Sequence, residues 1–519
     1  MVLALIACGA RTADGGTMTD SDSITKVLEE DTISFVEPLS AEQKSSVKAL
    51  TWVVTVYDTV HSGKLSTLKD LYKDTPGLFT FRGNAMRNAN FEGKVQGTPQ
   101  RVRQEWVFIT DSDDKPTSMG TWGGGSGWTG EPVYVEWPDT LMKRMQRESG
   151  ALTDDFSQKE IMVGSLCEKV YFINYETGKA SRTPLDVVNP IKGSISLDPS
   201  LNGNLYVGQG IPKVQPMGRM VFNLFTHKQT FFSGGDKASY LKWQANDSSP
   251  VRVGQFLFWP SENGVIYKYL VTDNSITLHS TLKYKNKKRG AAGTENSICI
   301  YHNYGFFGNN HGDVLCIDLN TLTPIWHYDN HDDIDASLVC EVENGIPYLY
   351  CGSEVDRQGD TGIAYLVKLN GLTGEAIWEQ RLPCDKLNLY GKHFDGGFYS
   401  TPLLGSGDCQ DLLFASVCQP HGTKKAEFTA FRKSTGEVAY KIPMRYFAWS
   451  SPVGFLNENG KMYVFAGDSF GHAYLFEGLT GRLLFCEKMA NNFESSPVVK
   501  GNHLVVGSRG KEIYKFAIE

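Results

Sequence analysis

From Leu78 onward, short segments of alternating apolar and polar residues are separated by turns rich in Gly, Asn and Asp. This alternation has a period of two, so it predicts strands with one buried face. One type of segment recurs along the chain as KVYFINYETGK, RMVFNLFTHKQ, VIYKYLVTDNS, DVLCIDLNTLT, IAYLVKLNGLTGE, EFTAFRKSTGE, HAYLFEGLTGR and EIYKFAIE. The pattern therefore predicts a repeat protein built of β-strands.

The repeat unit is clearest near the C-terminus. The stretches from Ser450 to Phe485 and from Ser495 to Glu519 both open with Ser-Ser-Pro and an apolar run, and both continue into two further strands. The first stretch goes on through Thr-Gly into a fourth strand. The opening hydroxyl residues that align are Ser249, Ser297, Ser337, Thr401, Ser451 and Ser496, with gaps of 48, 40, 64, 50 and 45 residues. Four strands per unit at this period are typical of β-propeller blades.

The last unit stops after its third strand, which would leave an unpaired edge prone to aggregation. Arg103 to Asp111 has the pattern of an isolated fourth strand, and its Trp106 matches Trp326 and Trp378, which end other fourth strands. Pairing of this early strand with the last unit would close the ring. We therefore predict an all-β, eight-bladed propeller whose first blade starts near Trp128.

The chain divides into three predicted regions. Residues 1–20 are a signal remnant and tether, residues 21–77 are a helical N-terminal segment, and residues 78–519 are the propeller. Within residues 40–75, apolar residues recur at helical spacing, as in AEQKSSVKALTWVVTVYDTV. Residues 139–160 also have helical character and are predicted to be an insertion in blade 1.

The N-terminus suggests a membrane anchor. Leu5-Ile6-Ala7-Cys8 resembles a bacterial lipobox, in which the Cys becomes acylated, and the polar stretch after it suits a flexible tether. The alternative is an unstructured terminus with an accidental Cys. We expect lipidation at Cys8. We also expect the protein to be a monomer in the bacterial cell envelope (periplasm, outer membrane or cell surface) that is attached to the membrane only by this lipid anchor.

Composition narrows the possible partners. The 51 Lys and Arg against 58 Asp and Glu give a net charge of −7, so a nucleic-acid partner is not expected, because phosphate binding needs clustered basic residues. Cys8 aside, nine cysteines remain, and an odd number in a long chain does not indicate a disulfide framework.

The third strand, the Thr-Gly turn and the closing Trp of LVKLNGLTGEAIWEQ resemble the repeat of pyrroloquinoline-quinone-type (PQQ-like) propellers, and FRGNAMRNANFEGKV resembles their entry segment. That family includes quinone-dependent dehydrogenases and also BamB, an eight-bladed outer-membrane assembly lipoprotein that binds no quinone. The resemblance implies the fold over most of the chain. A lipobox with eight blades is closer to the BamB-like and bacterial surface lipoprotein group.

In the quinone enzymes of this family, the cofactor lies between a Trp and a disulfide of two adjacent cysteines, above a calcium ion. This sequence has no adjacent cysteines, and Tyr440 and Phe485 replace the blade-ending Trp in two units. These departures weigh against a quinone site, so we expect neither PQQ nor calcium as a cofactor.

The repeat itself supplies a candidate site. The loop that enters each innermost strand reaches the mouth of the central channel, so residues at one slot form a ring there. The slot two positions before each aligned hydroxyl holds Asp247, Glu295, Asp335, Tyr399, Trp449 and Glu494, with Thr129 beside Trp128 in blade 1 and Lys192 in blade 2. HFDGGFYSTP adds His393, Asp395 and Phe398 to the same rim. Carboxylates near aromatic faces suit a sugar or a cationic group, although polar residues at strand entries also serve to cap backbone N–H groups.

No combination of general acid, general base and nucleophile is evident in the sequence. Gly467-Asp-Ser469-Phe-Gly471 matches a nucleophile-elbow pattern, but it lies between two predicted strands and is interpreted as a hairpin turn. The predicted function is a non-catalytic propeller that binds an envelope protein or a small ligand at the channel mouth. The alternatives are a quinone- or calcium-dependent oxidoreductase and a glycan-binding surface protein that uses Trp122, Trp128 and Trp449.

Overall fold

A computed structural model describes residues 39–89, 91–116, 120–128, 130–273, 275–389 and 392–519. The predicted tether, Cys8 and Thr129 lie outside the described residues, as do residues 21–38 of the predicted helical segment. No helix within these ranges is both long and apolar enough to cross a membrane.

The predicted propeller is confirmed: eight antiparallel sheets follow one another along the chain, and each contributes four strands in the order inner to outer. The strands of blades 1 to 4 are Val133–Glu136, Lys159–Gly164, Lys169–Asn174 and Leu185–Asp186; Ser196–Leu197, Asn204–Gly208, Gly218–Asn223 and Lys228–Gly234; Val251–Val253, Phe256–Ser261, Val265–Val271 and Ile276–Asn286; Cys299–Tyr301, Tyr304–Phe307, Asp313–Asp318 and Pro324–Asp329.

Blades 5 to 8 follow the same plan, and the aromatic third strands predicted from the sequence are the third strands of all eight blades. Their strands are Val339–Glu343, Ile346–Gly352, Thr361–Asn370 and Ala376–Asp385; Leu403–Leu404, Leu412–Cys418, Ala426–Arg432 and Val438–Pro443; Val453–Leu456, Met462–Gly467, His472–Glu477 and Leu483–Lys488; Val498–Lys500, His503–Gly507, Glu512–Ile518 and Val102–Ile109.

Short strands extend this plan. Gly77–Leu78 pairs with the inner strand of blade 1, Phe91–Glu92 runs parallel to the inner strand of blade 8, and Gly396–Gly397 links Glu354–Val355 to blade 6. Two small hairpins pair Ser112–Asp113 with Gly123–Gly124 and Leu387–Leu389 with Lys392–Phe394. Single 3-10 turns occupy Val47–Ala49 and Gly407–Cys409.

The ring closes as predicted. Val102–Ile109 is the fourth strand of blade 8 and pairs antiparallel with Glu512–Ile518, with Gln104 opposite Phe516 and Trp106 opposite Lys515. Because strands from both ends of the chain share one sheet, neither terminal blade exposes an incomplete edge.

The blade-ending Trp residues join neighbouring blades. The ring of Trp326 in blade 4 packs on Gly374 in the last turn of blade 5, where an added Cβ would lie 2.7 Å from the indole, and its Nε1 donates to Gly371 O at 2.8 Å. Gly374 has a φ of +77°, a conformation that glycine adopts without strain. Trp106 repeats this contact on Gly178 of blade 1, so the same contact also closes the ring.

The aligned opening residues form a second set of contacts between blades, which we call the hydroxyl belt (Ser249, Ser297, Ser337, Thr401, Ser451 and Ser496). The backbone N–H of each of the first five members donates to the side-chain oxygen of the next, and the Ser496 N–H donates to Gly130 O at 3.0 Å. The N···O distances, taken in chain order from Ser249, are 2.8, 2.8, 3.1, 3.0 and 3.3 Å. The aligned residues therefore occupy one structural position, repeated from blade to blade.

Residues 79–89 fill the centre of the ring beneath the belt, and we call this segment the plug. Its two arginines are fully buried and donate to backbone carbonyls of surrounding blades. Arg82 reaches Thr401 O and Pro452 O, both at 2.7 Å, whereas Arg87 reaches Ser249 O and Ile298 O, both at 2.8 Å. The plug thus ties four blades together and closes the ring beneath its mouth.

The prediction of helix over residues 40–75 is wrong for most of that range. Helix is confined to Ala41–Ser46, which begins with a capping box formed by Ser40 and Gln43, while Leu50–Val56 is a strand on the outer edge of blade 3. The β-branched run in TWVVTV favours a strand, and the exposed edge of the long strand Ile276–Asn286 provides its partner. The predicted helical insertion in blade 1 is confirmed as Asp139–Glu148.

Candidate functional site

A cavity of about 560 Å³ opens above the hydroxyl belt, and we call it the cup. Two kinds of loop form it: the loops that enter the inner strands, and the turns between second and third strands. Its lining consists of Trp122, Trp128, Leu166, Lys192, Glu295, His393, Phe394, Tyr399, Phe447, Trp449, Ser469, Glu494 and Arg509. Because the plug closes the ring beneath, the site is a pocket with one mouth.

The repeated slot predicted from the sequence lies at this cup. Lys192, Glu295, Tyr399, Trp449 and Glu494 come from five different blades and all line it. Asp247 and Asp335 occupy the same slot in blades 3 and 5 but are only 4% and 8% exposed, so they lie behind the lining. Residues far apart in sequence meet because each blade delivers one residue to the same ring.

One side of the cup is an aromatic arc, which consists of Trp128, Phe394, Tyr399, Phe447 and Trp449. Trp449 is its centre, with ring centroids 6.0 Å from Trp128, 5.3 Å from Tyr399, 5.7 Å from Phe394 and 5.2 Å from Phe447. These pairs are tilted by 31–45°. The rings therefore pack on one another and form a continuous wall.

A second group of residues is the acidic arc, which consists of Asp247, Glu262, Glu295, Asp335 and Glu354. Glu295 lines the cup, and the other four are buried behind the lining. Carboxylate oxygens of Asp247, Glu262 and Glu295 lie within 4.8 Å of one another, a spacing that would suit a cation. The Lys192 ammonium contacts Asp247 and lies 3.7 Å from Glu295. Burial favours the neutral amine, but these carboxylates raise the pKa of Lys192 well above its usual value, so this lysine carries a positive charge inside the acidic arc.

Burial and mutual repulsion raise the pKa values of four members of the acidic arc, namely Asp247, Glu262, Asp335 and Glu354. The pKa of Asp247 rises to about 6, because its burial outweighs the opposing effect of Lys192. Burial, followed by the neighbouring carboxylates, raises the pKa values of Glu262, Asp335 and Glu354 well above the usual range. Asp335 Oδ1 and Glu354 Oε1 are buried and receive no hydrogen bond from any described residue. The raised pKa values favour the protonated, uncharged form of these buried carboxyls, and a cation placed beside them would favour their ionised form.

Other residues predicted for the site lie in or beside the cup. Trp122 and His393 line the cup, and the Arg509 guanidinium lies 5.0 Å from the Trp122 ring centroid and 3.5 Å from Glu494. Asp395 lies beside Tyr399, whose hydroxyl donates to Asp395 Oδ2 at 3.2 Å.

Phe398 is fully buried in the core and packs on Gly352, so its predicted place on the rim is corrected. It cannot line the cup because successive side chains in extended backbone point to opposite faces, and Tyr399 takes the inward position.

Sequence analysis missed the contribution of the turns between second and third strands. These turns bring Leu166, Ser469 and Arg509 to the cup because they lie on the same face of the ring as the strand-entry loops. The equivalent positions of the turns in blades 7 and 8 could have revealed Ser469 and Arg509. Nothing in the repeat pattern indicated Phe394, which comes from a hairpin specific to blade 6, or Phe447.

The possible nucleophile elbow is a hairpin turn, as interpreted from the sequence. Ser469 lies between the strands Met462–Gly467 and His472–Glu477, and both its N–H and its Oγ donate to Phe447 O, at 2.9 and 2.7 Å. A hydroxyl that donates to a carbonyl has no base to accept its proton.

No protein-family model matches this chain, and no curated protein matches it in sequence. Among solved structures, it is similar to a europium-containing methanol dehydrogenase, with a TM-score of 0.58 and 13% identity over 86% of this chain and 99% of that one. A quinohemoprotein alcohol dehydrogenase from Comamonas testosteroni gives a TM-score of 0.59 and 12% identity over 92% and 84%. BamB from Moraxella catarrhalis gives 0.49 and 13% over 81% and 98%.

At such low identity the likeness to the two dehydrogenases concerns the fold alone, and their activity is not transferred with it. The number of blades, the strand order within each blade and the closure of the ring agree with the resemblance found in the repeat. This chain therefore has the eight-bladed, PQQ-like (pyrroloquinoline-quinone-type) β-propeller fold.

Proposed function

We propose that this protein is a non-catalytic binding module of the bacterial cell envelope, and that its ligand enters the cup. The observation that carries this proposal is the meeting of the aromatic and acidic arcs in one closed-ended cavity of about 560 Å³. That volume is typical of small-molecule sites, in which apolar walls carry a few convergent polar groups. It also suits a side chain presented by a protein partner.

The chemistry of the lining supports binding rather than turnover. Ser469 has no base, and the Lys192 ammonium and the Arg509 guanidinium lie against carboxylates. The nine cysteines among the described residues are free thiols, eight of them buried, and none lines the cup. We find no nucleophile paired with a general base among the described residues of the lining.

The quinone cofactor of the fold family does not fit these residues. The family's sandwich needs a Trp face opposite a disulfide of adjacent cysteines, and this sequence has no adjacent cysteines. A flat ring also needs two parallel walls about 7 Å apart, twice the ~3.5 Å contact distance, whereas the rings of the aromatic arc touch one another at a tilt. The family's calcium would compete with the Lys192 ammonium for Asp247 and Glu295.

The direct test is a binding screen read through the tryptophans of the cup. Intrinsic fluorescence is titrated with a panel of small cations, sugars and amino acids, in the wild type and in Trp449→Leu. We expect saturable quenching by at least one class of ligand, and loss of that quenching in Trp449→Leu. Trp52→Leu, on the outer edge of blade 3 and 37% exposed, is the matched control and should keep the response.

The dehydrogenase alternative has its own assay. Purified protein is mixed with pyrroloquinoline quinone and calcium, and dye reduction is followed with alcohols and sugars. Quinone-dependent turnover that is lost in Glu295→Gln would replace the binding proposal with an enzymatic one. A glycan array tests the third alternative, which predicts sugar binding that depends on Trp449.

The envelope location rests on the resemblance of residues 5–8 to a lipobox. Cells expressing the full chain are labelled with a radioactive fatty acid. We expect label on the wild type and none on Cys8→Ser, and an unlabelled wild-type protein would contradict the anchor.

A further inference from the structure

The cup and the residues behind its lining hold more carboxyl groups than Lys and Arg side chains. Arg509 lies near Glu494, and Lys192 lies near Asp247 and Glu295. Asp335 and Glu354 are 8% and 2% exposed, and neither forms an ion pair with the described residues. Burial raises the pKa values of both carboxyls and favours their uncharged form, so a cation bound near them would favour their ionisation.

Lys192 shows which kind of group the acidic arc accepts. Its ammonium lies between carboxylates of two blades, and its Nζ is 5.3 Å from the centroid of the Trp128 ring. This combination of carboxylates and an indole face is the arrangement that stabilises an organic cation, since the electron-rich ring face attracts positive charge.

Two other members of the aromatic arc, Trp449 and Tyr399, also line the cavity. No Lys or Arg among the described residues lies over the rings of Trp449 or Tyr399, although Glu354 and Asp335 are close enough to Tyr399 to raise its pKa further after burial has done so. Glu295 and Glu494 line the same cavity as these rings. A ligand that enters the cup therefore meets both aromatic faces and the carboxylates of Glu295 and Glu494.

We propose that the ligand of the cup carries an organic cation, either an alkylated ammonium or a guanidinium group, held between the Trp449 and Tyr399 rings and the carboxylates of Glu295 and Glu494. This inference rests on the proposed binding function and names the class of ligand. It distinguishes the cup from a sugar site, which needs hydrogen-bond partners for hydroxyl groups rather than carboxyls that ionise beside a cation.

The inference carries a dependence on pH. The carboxyls near the ligand are Asp247, Glu262, Glu295, Asp333, Asp335, Glu354, Asp395 and Glu494. The basic groups that face them are Lys192, Arg509, the His393 imidazole, and Lys386, which pairs with Asp395. A bound cation favours the ionised form of each carboxyl, so binding releases protons and affinity rises with pH. We expect affinity to fall as the pH drops through about 6, where the Asp247 carboxyl becomes protonated.

The experiment compares choline with 3,3-dimethyl-1-butanol, which has nearly the same shape but no charge, and uses agmatine as the guanidinium probe. Binding is measured by tryptophan fluorescence and by calorimetry at pH 8 and pH 5. We expect a cation to bind more tightly than the neutral alcohol by about 5–30-fold, which corresponds to 1–2 kcal/mol of cation–π and charge interaction. We expect weaker binding at pH 5.

Two variants test the two arcs. Glu295→Gln removes a charge and keeps an oxygen that can accept the hydrogen bond from Asn310, and Trp449→Leu removes the ring. Each should weaken cation binding by about 5–30-fold. Glu437→Gln, at an exposed position beyond the cup, and Trp52→Leu are matched controls that should bind as the wild type does.

The outcomes separate the two proposals. Equal affinity for choline and the neutral alcohol, or cation binding that Glu295→Gln leaves intact, overturns the cation inference. Saturable binding of a sugar without binding of either cation overturns it too, while the binding function stands. If neither the cations nor the sugars bind, both proposals fail.

Discussion

The plug gives the sharpest test of how the ring is held together, through the substitution Arg82→Met. The Arg82 guanidinium is 2% exposed and donates to Thr401 O in blade 6 and Pro452 O in blade 7, both at 2.7 Å. Its backbone N–H donates to Glu131 Oε1 of blade 1 at 2.8 Å. Methionine has a similar length but offers no donor, so the change removes the side-chain hydrogen bonds and leaves most of the volume filled.

The expected loss follows from two opposing effects. Burial disfavours the guanidinium and lowers its pKa to about 10, so its removal relieves a desolvation cost. It also removes the guanidinium donor from Thr401 O and Pro452 O, and it leaves Glu131 without the cation that most opposes its burial. Charge-assisted hydrogen bonds contribute about 1.5–3 kcal/mol each, and the relieved desolvation cost offsets part of the loss of two of them. We expect Arg82→Met to reduce the free energy of unfolding by about 3–5 kcal/mol.

The assay is urea denaturation followed by tryptophan fluorescence, with hydrogen exchange to localise the effect. Backbone amides near Thr401 and Pro452 should lose protection first, because the plug no longer holds blades 6 and 7. Arg147→Met is the control, since the Arg147 side chain is 73% exposed on a surface helix and should change stability little. A loss for Arg82→Met no greater than that of the control would refute the reasoning.

Three further predictions concern the blades. Gly374→Ala places a methyl group 2.7 Å from an indole ring at a φ of +77°. Calorimetry should therefore show a larger drop in Tm than for Gly460→Ala, where φ is a similar +75° but the space around the glycine is open. Equal drops would show that the Trp contact does not contribute to stability. Ser337→Ala removes the acceptor of one belt hydrogen bond and should cost about 0.5–1.5 kcal/mol in urea denaturation, and an unchanged midpoint would contradict the belt. Burial raises the pKa of Glu131 to about 7 from an ordinary value of 4.5, so the folded state holds this proton more tightly than the unfolded state does. The stability that the protonated carboxyl contributes is present below about pH 4.5 and is lost as the pH rises to about 7. Glu131→Gln should therefore weaken the decline in Tm between pH 4.5 and 8, and an identical decline in both proteins would contradict the assignment.

Sequence alone identified the parts of this protein that repeat. Each third strand is predicted by its alternation of apolar and polar residues and by the turn that follows it. Eight copies at a regular spacing indicate a propeller, because no single blade can bury its own faces. The match of Trp106 to Trp326 in the sequence predicted the closing strand, because the same Trp–Gly contact recurs between neighbouring blades. The slot that supplies Glu295 and Trp449 was predictable for the same reason, since equivalent positions in a ring meet at its mouth.

Only the tertiary structure decided the parts that occur once. The plug, the Phe394 hairpin and the edge strand Leu50–Val56 have no second copy, so no periodicity reveals them, and each is stabilised by contacts with residues distant in the chain. The local spacing of apolar residues predicted a helix for residues 50–56. Such spacing carries no information about the exposed edge of a strand distant in sequence that can pair with this segment. The charge state of the cup likewise depends on Lys192 approaching carboxylates from other blades, and such pairings arise only when the ring closes.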